Sequence, residues 1–509
     1  MRVREYGFTF YNRGKEKMRY KIPDNSLLKK YKIQEGFPYI FDTGEIIALT
    51  NDAGDFHTIT PQELHRLLSG EVSPQSTLGK ILLEKNLFPG KIDKDKEIDR
   101  LKKKLRFLNY GPNLHIVIPT LRCNQQCLYC HASRRPEQKT GFDMTEETAK
   151  KVVDTIFDTT SQEITIEFQG GEPLLNFDII KTIIEYAIEK NKVTNKELYF
   201  SLVSNLSKID EKKMKYLLDK GVLFCTSLDG PQEVHDSNRP FSGNSSYKET
   251  IKWMERINKE YKKRGYDTNL YHVDALMTTT RNSLGHAKEI VDEYVKHGIK
   301  VIHIRPLNPL GFAQKTWEKI GYTTEEFLKF YFEVLDYVLE LNLKGIEIQE
   351  RTAALFIIKM ITDRDPNFLD LRSPCGAGIG QVAYNYDGKI FTCDEARMMY
   401  EMGEDLFLLG NAGKDLYVDI MGSPITRSIL LASLLDAYPY CEGCALKPYC
   451  GICPIINYME QGDIFGSMEH SSKCKINKAI LGYIFNKMHN PSNELLQIFQ
   501  KWSIFRARE

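Results

Sequence analysis

No stretch of the 509-residue chain approaches the roughly 18 uncharged apolar residues that a membrane-crossing helix needs. The opening, MRVREYGFTFYNRGKEKMRY, alternates polar and apolar residues and lacks the apolar h-region of a signal peptide. A cytoplasmic protein without membrane contact is expected. Charge of one sign is not in excess: 69 Lys plus Arg face 68 Asp plus Glu, so nothing global draws the chain to nucleic acid or an anionic surface. The 11 histidines contain no HExxH-like pair, so a lone histidine reads as structural rather than as a metal ligand. Low-complexity tracts and internal repeats are also missing.

What remains is an ordinary globular composition, 42% hydrophobic and 27% charged, with an unusual distribution of cysteine. Eleven is an odd number, and thiols in a reducing compartment serve metals or catalysis more often than disulfides. Domains of about 100 to 200 residues each predict two to four of them.

Residues 1–108 hold short strand candidates, YIFDTGEIIALT and DFHTIT, separated by Gly-containing turns. TPQELHRLLSG then offers Thr60 as N-cap, Pro61 at the first helical position, Glu63 at the third and Gly70 as a stop. The charged KIDKDKEIDRLKKKLR, with Leu101, Leu105 and Leu108 at helical spacing, reads as a solvated connecting helix. Residues 109–315 alternate strand-like segments (LHIVIPT, EITIEFQG, ELYFSLVSN, LFCTSLDG, YHVDALMT, VIHIRPL) with helical ones. Repeated strand-helix-strand units predict an α/β fold with parallel strands and right-handed crossovers, in an incomplete barrel or an open doubly wound sheet. In both, sites lie at the carboxyl ends of the strands. A helical bridge, 316–370, opens with Thr323 and Glu326 as a capping box; 371–478 holds seven cysteines; 479–509 reads as helices that pack on the body.

CNQQCLYC places Cys123, Cys127 and Cys130 just after the first strand of the α/β region. Three thiolates can hold a cubane iron–sulfur cluster and leave one iron open to a small chelating molecule; the alternative is three unrelated core thiols. One strand later, EFQGGEP puts Gly170 and Gly171 where a backbone can approach a ligand closely. Together the two motifs resemble the radical S-adenosylmethionine (SAM) superfamily. That resemblance implies a partial (β/α)6 TIM-like barrel whose [4Fe-4S] cluster, on Cys123, Cys127 and Cys130, binds SAM at its open iron. Reductive cleavage would then yield a 5'-deoxyadenosyl radical that takes hydrogen from a substrate. It also implies Tyr129 near the adenine and the turn of Gln169, Gly170, Gly171, Glu172 and Pro173 near the methionyl amine. Ser204, Asn205, Ser227, Asp229 and Arg239 are further cofactor contacts on the same basis.

The third region reads CGAGIGQVAYNYDGKIFTC, then CEGCALKPYCGIC, then Cys474. By themselves the Cys-x-x-Cys pairs suit zinc as well as iron–sulfur. In this order they resemble the auxiliary-cluster SPASM domain. The resemblance implies one [4Fe-4S] cluster on Cys441, Cys444, Cys450 and Cys474 and another on Cys375, Cys393 and Cys453, three clusters in all. An extra cysteine that fully ligated members carry after the position of Cys375 is missing, which implies an open iron there, and Cys450 and Cys453 are closer in sequence than usual. Cys225 is left over, on a strand and expected to be buried. Asp394, directly after Cys393, corresponds to a general base in sulfatase-maturing relatives; its other reading is an ion pair with Arg397.

FPYIFDTGEIIALTNDAGDFHTITPQELHRLLSG is similar to the winged-helix-like element that captures leader peptides, by adding an extended peptide to a strand edge; the other reading is an α+β domain that packs on the barrel. With EFQGGEPLLNF, TSLDGPQEVHDSNRP and YNYDGKIFTCDEARMMYEMG, the chain resembles the B-type radical SAM maturase of the His-Xaa-Ser peptide-modification system. The expected function is hydrogen abstraction from a side chain of a ribosomal precursor peptide, installing a crosslink or oxidation. The expected partners are the precursor with its leader, a flavodoxin or ferredoxin reductant, and a companion maturase. The competing expectations are an anaerobic sulfatase-maturating, formylglycine-forming enzyme and a zinc-stabilised peptide-binding module without catalysis.

Overall fold

The computed structural model describes residues 36–242, 245–364, 366 and 368–504; the expectations for the first 35 residues lie outside them. Strands β1 (Tyr39–Asp42), β2 (Ile47–Thr50) and β3 (Phe56–Ile59) form an antiparallel sheet in that order. Ile47, Leu49 and Ile59 bury against Leu64, Leu67 and Leu82 of the two helices that follow, Pro61–Leu68 and Thr77–Glu84. The expected Thr60 cap forms: Thr60 Oγ1 accepts from the Glu63 N–H at 3.2 Å, and Glu63 accepts in return from the Thr60 N–H at 2.8 Å.

The helix Lys94–Lys104 forms where KIDKDKEIDRLKKKLR is read as a solvated connecting helix, and seven of its eleven residues are exposed. Its buried residues are the charged Glu97 and Lys104, and Leu108 is 46% exposed. Glu97 accepts from the Asp52 N–H at 3.0 Å and Lys104 donates to the Ala53 carbonyl at 2.6 Å, so the helix grips the β2–β3 turn through its polar face.

Five parallel strands follow: β4 (Leu114–Thr120), β5 (Glu163–Gly170), β6 (Glu197–Val203), β7 (Leu223–Ser227) and β8 (Asp274–Leu276), paired in the order β8-β7-β6-β5-β4. Strand order that follows chain order without reversal is that of part of a barrel, not of a doubly wound sheet with a switch point. The sixth expected strand, β9 (Val301–Ile302), pairs in parallel with β10 (Gln349–Glu350) and not with β8. It is too short to carry a ladder on both sides, and the barrel stays open there.

The Cys-rich region joins the same sheet. β11 (Gln381–Tyr384) runs parallel to β4, and β12 (Lys389–Phe391) and β13 (Leu408–Asn411) continue antiparallel, giving eight strands. Helices Ser472–Met488 and Asn493–Trp502 close the body, burying Ile480, Ile484, Phe485, Phe499 and Trp502. Among the described residues no helix is long and apolar enough to cross a membrane.

Candidate functional site

β4 hands the chain to the cysteine loop, and the end of β5 locks it there. The Gly171 N–H donates to the Thr120 carbonyl at 3.0 Å and the Glu172 N–H to the Arg122 carbonyl at 2.7 Å. Gly170 has φ +126°, and a Cβ on it would stand 2.5 Å from the Thr120 carbonyl oxygen; on Gly171 it would stand 2.2 Å from that of Arg122. The glycine pair is therefore required by the strand leading into the three thiols, a closer constraint than the ligand approach expected from the motif.

Glu172 is fully buried and accepts from Ser204 Oγ at 2.8 Å, the Asn205 N–H at 2.9 Å and the Leu174 N–H at 3.1 Å. Burial raises its pKa and those three donors oppose the rise. Pro173 opens the following turn and is itself buried. Ser204 and Asn205, expected as cofactor contacts, thus brace the glycine turn, and the Asn205 side chain also reaches Cys123 Sγ at 3.8 Å.

Burial raises the pKa of Cys123, Cys127 and Cys130, and neighbouring thiols add to the rise at Cys123 and at Cys127, which reaches about 11. Tyr129, Asp229 and Arg239 form a buried network beside them. Asp229 accepts from Tyr129 Oη at 2.7 Å and Arg239 Nε at 2.9 Å, the guanidinium lies 5.1 Å from the Tyr129 ring, and its other arm reaches Cys127 Sγ at 3.9 Å. Asp229 is spent on these donors, while Gln169, Ser227 and Arg239 line a cavity.

The remaining thiols gather in two groups. Cys441 has Cys450, Cys444 and Cys474 as electrostatic neighbours, and burial first, then these, raises it to about 12. Cys375, Cys393 and Cys453 are coupled in the same way. Buried, mutually repelling thiols fit a site whose iron supplies the compensating charge, and donors aimed at sulfur, as at Cys123 and Cys127, tune such sites.

The cavity, about 1700 Å³, lies between the barrel and the Cys-rich region, with Ser227 and Arg239 on one wall and Cys375, Cys393, Asp394 and Cys453 on another. Asp394 also accepts from Arg397 Nε at 2.6 Å, so the ion pair expected as an alternative is formed by a residue that still reaches the cavity. Cys225, expected to be buried, lies on the cavity wall as well. Glu167, Arg305 and Arg351 line it and were not picked out from the sequence. The signal was there: Glu167 and Gln169, Cys225 and Ser227 recur at the strand period of two, which puts polar groups on the face that looks into the barrel.

Residues 117–275, the first five strands of the barrel, match the model of the Radical SAM superfamily. The chain carries a radical SAM enzyme domain. An uncharacterised protein of Methanocaldococcus jannaschii is 31% identical over 199 residues, 38% of this chain and 63% of the relative, so the chain spans less than two thirds of that relative's length. The cysteine-type anaerobic sulfatase-maturating enzyme of Clostridium perfringens is 23% identical over 384 residues, 73% of this chain and 96% of the relative. A structure of native anSMEcpe with bound AdoMet and Kp18Cys peptide superposes with a TM-score of 0.61 at 20% identity, covering 77% of this chain and 100% of that one, which shows the shared fold. Radical SAM domains work with a [4Fe-4S] cluster and SAM.

Proposed function

We propose that this radical SAM enzyme is a peptide maturase with three [4Fe-4S] clusters, acting on a side chain of a ribosomally made precursor. The observation that carries the reading is the single cavity bounded both by Arg239, which touches Cys127, and by Cys375, Cys393 and Cys453. A peptide threaded there meets the SAM-side wall and the auxiliary wall together. When bound, the cluster on Cys123, Cys127 and Cys130 and its SAM supply a radical that removes hydrogen. The chain's own residues do the rest. The turn of Gln169, Gly170, Gly171, Glu172 and Pro173 shapes the methionyl pocket, braced by Ser204 and Asn205. Tyr129, with Ser227 and the Asp229–Arg239 pair, flanks the nucleoside side, and Asp394, oriented by Arg397, takes a proton from the substrate. Cys441, Cys444, Cys450 and Cys474 hold one auxiliary cluster. Cys375, Cys393 and Cys453 hold the other, with an open iron.

The N-terminal sheet and helices receive the leader at a strand edge, as a winged-helix-like domain would, and a flavodoxin or ferredoxin delivers the electron. The peptide bound in the solved relative supports the substrate class. The chain is read as the B-type maturase of the His-Xaa-Ser system, working beside a companion maturase. A second reading, formylglycine formation, is favoured by Asp394 on the cavity wall and by the sulfatase-maturating relative.

Anaerobic purification tests the cofactors: three cubanes hold about twelve irons, and fewer than about eight with matching sulfide contradicts three clusters. Incubation with precursors encoded beside the gene, read by mass spectrometry, tests the substrate. Loss of two hydrogens supports crosslinking or dehydrogenation; conversion of a sulfatase-type cysteine peptide instead supports the second reading.

A further inference from the structure

The cations on the cavity wall are not equivalent: among the described residues Lys315 and Lys475 make no ion pair, but as lysines they lack the planar fork of arginine. Arg239 is paired with Asp229 at 2.9 Å, Arg281 with Glu326 at 3.7 Å, and Lys473 with Asp370. Arg305 and Arg351 line the same cavity, and among the described residues neither side chain makes an ion pair or a hydrogen bond. They are neighbours in the fold: Ile302 pairs in register with Glu350, and the Ile304 N–H donates to the Glu350 carboxylate at 3.2 Å. Arg351 rests 5.8 Å from the Phe368 ring and is otherwise open to the cavity.

The carboxylates nearby feel these charges without pairing with them: Arg351 acts on Glu167 and Arg305 on Glu395. Glu167 accepts from Ser201 Oγ at 2.9 Å and from Gln169 Nε2, and Asp394 accepts from Arg397. Asp274 lies 3.3 Å from His272, and Glu395 is buried beside Asp394. Two guanidinium groups on one cavity wall repel each other, and a carboxylate between them relieves the repulsion and accepts from both. Arg305 lines the cavity together with His131, the residue after Cys130, and Glu395, two residues after Cys393.

We propose that Arg305 and Arg351 form a carboxylate seat that selects substrate segments carrying an Asp or Glu side chain and holds that acid between the three-thiol wall and the Cys375 wall. This deepens the peptide reading and rests on it. The seat fixes which peptide position faces the reacting centre, because a planar guanidinium pair orients a carboxylate as well as attracting it.

The test uses the anaerobically reconstituted full chain and a random library of acetylated hexapeptide amides, with retained peptides sequenced by mass spectrometry. Asp and Glu are expected to be enriched about tenfold over Asn and Gln, the usual scale for a charge-assisted hydrogen bond. The R305Q/R351Q variant is expected to lose that enrichment, and R305K/R351K to keep a measurable part of it, which separates lost charge from a lost fold. Retention without acid preference, unchanged preference in R305Q/R351Q, or no retained peptide overturns the proposal. Cleavage of SAM by the same protein without peptide is measured in parallel. Its failure counts against the radical SAM chemistry and not against the seat.

Discussion

The Tyr449 hydroxyl donates to the Gly54 carbonyl at 3.0 Å, joining the loop between Cys444 and Cys450 to the β2–β3 turn of the N-terminal domain. Thr50 Oγ1 donates to the Ala445 carbonyl at 2.7 Å, and Lys447 bridges Asp52 at 2.9 Å and Asp436 at 2.7 Å. Phe41 and Phe56 pack on Phe485, in the helix that carries Cys474. The two segments that carry Cys441, Cys444, Cys450 and Cys474 thus both help to seat the N-terminal domain, together with Lys359, Asp363 and Arg372. Tyr449→Phe leaves a buried carbonyl unpaired at a cost of about 1–3 kcal/mol. Faster hydrogen exchange across residues 47–59 is the expected result, and unchanged exchange there contradicts the coupling.

Gly171→Ala drives a methyl group to 2.2 Å from the Arg122 carbonyl, where only the backbone can yield. Iron content at the three-thiol site and SAM binding are expected to fall together. Gly221→Ala is the control: its φ is +70° but its Cβ meets nothing within 4 Å, so it costs only the roughly 1 kcal/mol of left-handed strain. SAM binding by G171A equal to that of G221A, in equilibrium dialysis, would refute this account of the glycine turn.

Asp229→Asn removes the charge that holds Arg239 and leaves a buried cation unpaired, a cost of about 3–5 kcal/mol. Arg239 then no longer points dependably at Cys127. A lower melting temperature and an altered electron paramagnetic resonance signal of the reduced SAM-binding cluster are expected, with Asp229→Glu partly restoring both. An unchanged signal in D229N removes Arg239 from the surroundings of the cluster.

His57, on β3, is held down to about 4 from an ordinary 6.5 by burial and then by the Lys85 charge, with Glu63 opposing and His489 adding to the fall. The fold keeps this imidazole neutral. The unfolded chain gains a proton first, so stability is lost as pH falls from 6.5 toward 4. Melting temperatures at about pH 7.5 and 5.5 are expected to differ less in H57Q than in the parent. An equal or larger fall in H57Q contradicts the assignment.

What could be read from the chain was local or periodic. Thr60 with Glu63, and Thr323 with Glu326, are i, i+3 signals, and both capping boxes form. The strand segments from LHIVIPT to YHVDALMT pair in the expected parallel sense. The grouping of the thiols came from the resemblance and not from spacing, since Cys474 lies 24 residues beyond Cys450 and Cys453 lies 60 beyond Cys393. Long-range polar contacts were not legible. Nothing in KDKEIDRLKKK announces that Glu97 and Lys104 turn inward, since their partners, the Asp52 N–H and the Ala53 carbonyl, are backbone groups more than forty residues away. The glycine pair was visible, but the strand it meets was not. Arg305 and Arg351 come from separate elements that only the tertiary fold brings to one cavity.

The most direct test of the central claim is reductive cleavage of SAM. The iron-loaded chain, reduced anaerobically with dithionite and mixed with SAM, is expected to form 5'-deoxyadenosine and methionine, and Cys127→Ala is expected to form neither. Absence of 5'-deoxyadenosine from the iron-loaded parent, or equal amounts from the Cys127→Ala variant, would contradict the account.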